Sequence, residues 1–209
     1  MVQKSCTEAG GRPRGRPRSF DPDTALDRAV EVFWRLGFEA ADTDALASAM
    51  GLTKPSVYAA FGNKEQLYLK ALQRYGQRGR AEITALLEAA PSMRAGINAV
   101  FNHMAERVSG QHGGSGCLLT CVAAQSAHSM LPVREILEAG IAARDKAFTE
   151  FLRSGIARGE LPAGFPVERR ASLMNDLLSG LALRARAGAS LEELREIGAS
   201  ATEAILAGA

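Results

Sequence analysis

Three cysteines in 209 residues, one of them in a polar N-terminal stretch, are too few for a disulfide framework and fit a reducing compartment. No run approaches the ~20 consecutive apolar residues of a membrane-spanning helix. The first residues carry Arg and Gly where a secretory signal would carry an apolar core. These absences point to a cytoplasmic protein that uses no membrane. Catalytic patterns are missing as well. The three histidines lie in separate segments with no H-E-x-x-H arrangement, and there is neither a G-x-S-x-G elbow nor a paired-carboxylate signature. The glycine-rich stretch 110–116 lacks the Lys-Ser/Thr pair of a phosphate loop and reads as a flexible connector. No enzyme, cofactor or resident metal is expected. What remains is a chain with 46% hydrophobic and 23% charged residues, able to bury a sizeable core.

The near absence of net charge, +2 overall, hides an uneven distribution. Residues 1–20 hold Lys4, Arg12, Arg14, Arg16 and Arg18 against Glu8 alone, a local +4, whereas residues 21–80 balance eight basic against eight acidic residues. Residues 81–209 sum to −2. The cationic end is where an acidic polymer would bind.

Residues 1–19 are polar, rich in Gly, Pro and Arg, and read as a disordered arm. After it the pattern is helical. Asp21 and Pro22 form a cap with proline in the first turn, and Ala25, Leu26, Ala29, Val32, Phe33 and Leu36 recur at spacings of three and four until Gly37 closes the helix. A second helix runs from a cap at Asp42 or Thr43 to Met50, ended by Gly51; a third runs from a Thr53 cap to Phe61. Gly62 and Asn63 start a fourth, from Lys64 to about Arg80. Helices are expected over 92–108, 117–129, 133–158, 167–187 and 190–206, punctuated by Pro132, Pro162 and Pro166. The fold class is all-α, about nine helices: an arm over 1–19, a four-helix domain over 20–80, and a longer helical domain over 81–209 that must supply a pocket, a self-association surface, or both.

The second and third helices, joined through Gly51 and Leu52, have the lengths and tight turn of a helix-turn-helix. Thr53, Lys54, Pro55, Ser56, Tyr58 and Ala59 leave the third helix a small, polar outer face, while Val57 and Phe61 turn inward. Such a face suits a major groove. Lys54 reaches a guanine edge or a phosphate, Ser56 donates to either, and the Ala59 methyl meets a thymine methyl. Tyr58 and Lys64 are placed for phosphates, beside the positive end of the fourth helix.

The run FDPDTALDRAVEVFWRLGFEAADTDALASAMGLTKPSVYAAFGNKEQLYLKAL, residues 20–72, closely resembles the N-terminal domain of the TetR family of bacterial transcriptional repressors. Phe33, Gly37, Phe38, Ala47, Gly51, Leu52, Ser56, Tyr58, Phe61, Lys64 and Leu67 carry the likeness. The resemblance implies a nine- or ten-helix regulator with a divergent C-terminal part that binds an effector and dimerises. It places Thr43, Thr53, Lys54, Pro55, Ser56, Tyr58 and Lys64 at DNA-facing positions. Asp42 and Asp44 depart from the family pattern, since Asp42 caps a helix but cannot donate to a phosphate, and Asp44 would repel one.

In the arm, Pro13-Arg14-Gly15-Arg16-Pro17-Arg18 resembles an AT-hook, whose extended Arg-Gly-Arg core lies in the narrow minor groove of A·T-rich DNA. The other reading is a basic tail gripping phosphates. Both put Arg14, Arg16 and Arg18 on DNA.

Beyond residue 80, Cys117 and Cys121 are spaced i, i+4 at an expected helix start, where a lowered thiol pKa suits a redox, electrophile or soft-metal sensor, with His103, His112 and His128 as further ligands. The plainer reading makes both thiols small core residues. Pocket candidates by residue type are Phe101, Met104, Cys121, Gln125, His128, Phe148, Leu152 and Met174. The last two helices, about 167–206, carry Ala171, Met174, Leu177, Leu178, Leu181, Ala182, Leu194, Ile197, Ala201, Ala204 and Ile205 at helical spacing, a surface for a homodimer or for the chain's own core. A double-stranded DNA operator, a second copy and an unidentified small-molecule, metal or oxidant effector are the expected partners. An effector-independent architectural DNA-binding protein is the alternative.

Overall fold

The computed structural model describes residues 20–110 and 114–208. The arm, with Arg14, Arg16 and Arg18, and His112 in the glycine-rich connector lie outside the described residues. Within them are eight α-helices: α1 Pro22–Ala40, α2 Thr43–Met50, α3 Lys54–Phe61, α4 Lys64–Glu88, α5 Met93–Val108, α6 Leu131–Ala157, α7 Val167–Arg186 and α8 Leu191–Leu206. No strand occurs among the described residues.

Local chemistry explains the helix boundaries. Asp21 accepts from the Asp23 and Thr24 amides, Asp42 from Ala45 at 2.7 Å, and Ser92 from Ala95 at 3.2 Å. Asn63 with Gln66, and Ser190 with Glu193, form reciprocal capping boxes. Each satisfies amides that a helix start leaves without partners. At Gly37, φ 74° interrupts α1, as its glycine suggests, and Phe38–Ala40 form a trailing turn.

Two expectations are corrected. α4 does not stop near Arg80 but continues to Glu88, so a division between residues 80 and 81 falls inside one helix. Residues 117–129 are not a regular α-helix: Leu118–Val122 form a π turn and Ala123–Ser126 a 3₁₀ turn. The physical reason is tertiary. Cys117 provides no side-chain cap, while Leu118, Leu119, Val122 and Ala123 are all buried against α1, α4 and α7, so packing rather than the helical ladder sets the backbone. Pro132 likewise sits inside the first turn of α6 instead of preceding it.

The core has two parts. One gathers α1 to α3, the first half of α4 and the 118–123 segment around Phe33 and Tyr68, whose rings lie 4.8 Å apart. The other joins the end of α4 to α5, α6, α7 and α8 around Phe101, Phe148, Leu152 and Met174. Buried Asn175 ties α6 to α7, accepting from Arg144 at 2.7 Å and donating to Asp145 at 2.8 Å. α4 belongs to both parts.

Candidate nucleic-acid interface and effector cavity

α2 and α3 meet through a Schellman turn. Gly51, at φ 67°, donates to Ser48 and Leu52 donates to Ala47. The turn presents the start of α3 outward. Thr53 caps α3 through the Ser56 amide, and its hydroxyl lies 2.9 Å from that of Ser56. Val57 and Phe61 are buried, whereas Lys54, Pro55, Tyr58 and Ala59 are exposed. The face expected to read DNA is therefore assembled and open to solvent.

Its polar groups are already cross-linked. Lys54 Nζ lies 2.7 Å from Asp44 Oδ2, and Tyr58 Oη lies 3.3 Å from Thr43 Oγ1, so two contacts bridge α2 and α3. The Asp44 hydrogen bond holds the Lys54 ammonium above its ordinary pKa range. Lys64 donates to the Glu39 carbonyl at 3.2 Å and lies 4.7 Å from the Phe38 ring centre, which fixes it beside the start of α4. Thus Thr43, Thr53, Lys54, Pro55, Ser56, Tyr58, Ala59 and Lys64 come together around one α2–α3–α4 surface. Asp44 is the member that the sequence marked only as a repulsive charge.

A cavity of about 370 Å³ lies between α4, α5 and α6. Its apolar wall includes Leu72, Ile83, Met104, Leu119 and Ile136, and its polar wall includes Tyr75, His103, Arg107 and Arg144. Of the residues expected there, Met104 and Cys117 line it. Phe101, Phe148, Leu152 and Met174 are instead buried in the second core. Cys121 is half-buried, and Gln125 and His128 are exposed on the irregular segment.

The thiol environment departs from the sensor reading. Cys121 has its pKa raised by burial rather than lowered by a helix terminus. Among the described residues, no three His, Cys, Asp or Glu side chains gather as a metal site. His103 is paired with Glu82 at 3.2 Å.

Sequence reasoning missed Tyr75, Arg107 and Glu82, which tie α4 to α5 at the cavity and reach Trp34 of α1. The Arg107 guanidinium lies 4.4 Å from the Tyr75 ring centre and pairs with Glu82, which also accepts from Arg78. Burial by itself would push the Glu82 carboxyl up, but the Arg107 charge and the Arg78 hydrogen bond hold it below its ordinary range. Tyr75 in turn meets Trp34 of α1 edge-on at 5.2 Å and donates to Cys117 Sγ at 3.7 Å. Trp34 Nε1 donates to the Gly116 carbonyl at 3.0 Å. A sequence signal existed in Gly76 and Gly79, small residues within α4: a Cβ on Gly79 would meet the Arg107 guanidinium at 3.0 Å.

No described helix is long and apolar enough to cross a membrane. On α7 and α8, Ala171, Met174, Leu178, Leu181, Ala182, Leu194, Ala201 and Ile205 are buried within the chain, while Leu183, 63% exposed, faces outward.

Comparison with known proteins matches these halves separately. Residues 25–71 fit the family model described as bacterial regulatory proteins, tetR family, and residues 93–200 fit the tetracyclin repressor-like C-terminal domain. The chain is 32% identical over 192 residues to the HTH-type transcriptional repressor ComR of Escherichia coli K12, covering 91% of each. It is 29% identical over 201 residues to the repressor BdcR of the same organism, covering 95% of this chain and 96% of that one. A solved structure of a cysteine-substituted TetR family transcriptional regulator CifR, complexed with 26-bp double-strand operator DNA, superposes with TM-score 0.79 at 37% identity, covering 91% of this chain and 99% of that one. The chain is thus a DNA-binding transcriptional regulator with a helix-turn-helix at α2–α3, and it belongs to the TetR family of bacterial regulatory proteins.

Proposed function

We propose that this regulator is a cytoplasmic homodimeric repressor that binds a palindromic operator and is released when a small molecule occupies the α4–α5–α6 cavity. One observation carries the reading. α4 is a single helix from Lys64 to Glu88, with its first turn in the DNA-facing surface and its later turns in the cavity wall. A ligand that prefers one tilt of α4 therefore changes how the two recognition helices of a dimer are spaced. Dimerisation uses the outward faces of α7 and α8, where Leu183 is exposed, since their inner faces are occupied by the chain's own core. Residues 20–80 act as the DNA-binding part and 81–209 as the effector and dimer part, sharing α4.

Thr43, Tyr58 and Lys64 contact phosphates, while Lys54, Ser56 and Ala59 face base edges. Arg14, Arg16 and Arg18 add minor-groove or phosphate contacts from the arm. Tyr75, His103, Met104, Arg107 and Cys117 meet the effector. Selecting bound sequences from random duplex DNA tests the reading. It should enrich two inverted half-sites about one helical turn apart, ~34 Å or somewhat more, and a mass measurement should give twice the chain mass. No enriched sequence, or a monomer bound to a single half-site, refutes the proposal.

A further inference from the structure

The contact between Asp44 and Lys54 places a donor and an acceptor side by side on the DNA-facing surface. Lys54 opens α3, the end of a recognition helix that approaches base edges. Its side chain is 46% exposed and that of Asp44 78% exposed, so the 2.7 Å pair sits in solvent and gains little stability for the fold. An ammonium has three protons, of which Asp44 Oδ2 accepts one. Two protons remain, and so does the second carboxylate oxygen, Oδ1. In the major groove a G·C pair presents the complementary array: the N7 and O6 acceptors of guanine followed by the N4 donor of cytosine. An A·T pair presents acceptor, donor, acceptor, so it sets its adenine amino group against the ammonium.

We infer that Asp44 and Lys54 together read one G·C base pair in each half-site, Lys54 donating to guanine O6 and N7 while Asp44 accepts from cytosine N4. The inference rests on the operator-binding reading above and specifies one position of that operator. The neutral pair also explains how a domain balanced at eight basic and eight acidic residues tells sequences apart. Beside a phosphate, Asp44 is repelled; at a cytosine edge it is satisfied. Duplexes with A·T at that position are disfavoured, because they set the adenine amino group against the ammonium and offer Asp44 no cytosine amino group. The cross-link holds Lys54 against Asp44, so its charge serves discrimination more than general adhesion.

The test uses the full chain and three proteins, wild type, Asp44→Ala and Lys54→Ala, each selecting from random duplex DNA and then titrated on duplexes with every base pair at each enriched position. Both substituted side chains are exposed, and melting curves matching wild type establish that folding is intact. The wild type should prefer G·C at one position per half-site by about tenfold or more. Asp44→Ala, which leaves no acceptor for cytosine N4, should reduce that preference by about fivefold or more at this position alone, and Lys54→Ala should relax the same position. If Asp44→Ala strengthens binding to all duplexes with the preference intact, Asp44 is only a phosphate-repelling charge and the inference is overturned. It is equally overturned if the two substitutions relax different positions, or if no position prefers G·C. Failure of the wild type to enrich any sequence defeats the operator reading itself, and this inference with it.

Discussion

Replacing Gly62 by Ala strikes the junction where the recognition helix hands over to α4. Gly62 has φ 85° and ψ −153°, a region open essentially to glycine, and forcing an L residue into it costs about 1–3 kcal/mol. A Cβ there would lie 1.8 Å from Gln66 Oε1 and 2.8 Å from Gln66 Cδ, so the Gln66 side chain must swing away. That movement breaks its hydrogen bond to the Asn63 amide, 3.1 Å, and with it half of the capping box, worth about 1 kcal/mol. The two effects sum to about 2–4 kcal/mol. Urea unfolding at one fixed protein concentration should show the midpoint falling by about 1–2 M. DNA affinity should fall too, because Lys64 begins the helix whose cap is weakened. Gly140→Ala is the control of opposite sign. Gly140 lies inside α6, and a Cβ there meets nothing within 4 Å, so the substitution should stabilise the fold by about 0.5–1 kcal/mol. A loss under about 1 kcal/mol at Gly62, or equal effects at both glycines, would refute the strain account.

Arg107→Gln removes the charge that braces α5 against Glu82 and Tyr75 of α4, and should destabilise by about 1–3 kcal/mol in thermal melts; an unchanged melt would show the brace to be ornamental. The hydrogen bond from Arg74 holds the Asp27 carboxyl below its ordinary range. Its folded pKa lies under its unfolded one, so the contribution is complete above the unfolded value and lost as pH falls through the folded value, below about pH 4. Asp27→Asn should flatten the acid limb of stability measured between about pH 2 and 7; a parallel curve would assign that limb to other carboxylates. Deleting residues 1–18 removes four arginines, and should weaken DNA binding and lower the slope of log affinity against log salt by up to about 0.9 per lost phosphate contact. Equal slopes would place the arm off the DNA.

The exposed α2–α3 surface proposed to face DNA was legible because its determinants are local. Thr53, Lys54, Ser56 and Tyr58 sit within one or two turns, and Gly51 fixes the angle between α2 and α3 through its own backbone. The cavity was legible only at Met104 and Cys117. Residue type alone selected Phe101, Phe148 and Met174, each of which suits a core as well as a pocket, and the structure buries all three. Tyr75, Arg107 and Glu82 went unnoticed because their partners are distant in sequence: Tyr75 is 42 residues from Cys117, and Glu82 is 25 from Arg107.

What the sequence determined alone is the all-α class, the capped starts of α1 to α4 and the helix-turn-helix, since caps, left-handed glycines and a 3.6-residue apolar period are each satisfied within a few residues of chain. Only the tertiary structure decided three things. It bent residues 118–126 into π and 3₁₀ turns under long-range packing. It carried α4 past Arg80 to join both cores. It also set Asp44 against Lys54, ten residues on, turning a lone cation and a repulsive charge into one donor–acceptor pair. In each case the deciding contact joins elements that only folding brings together.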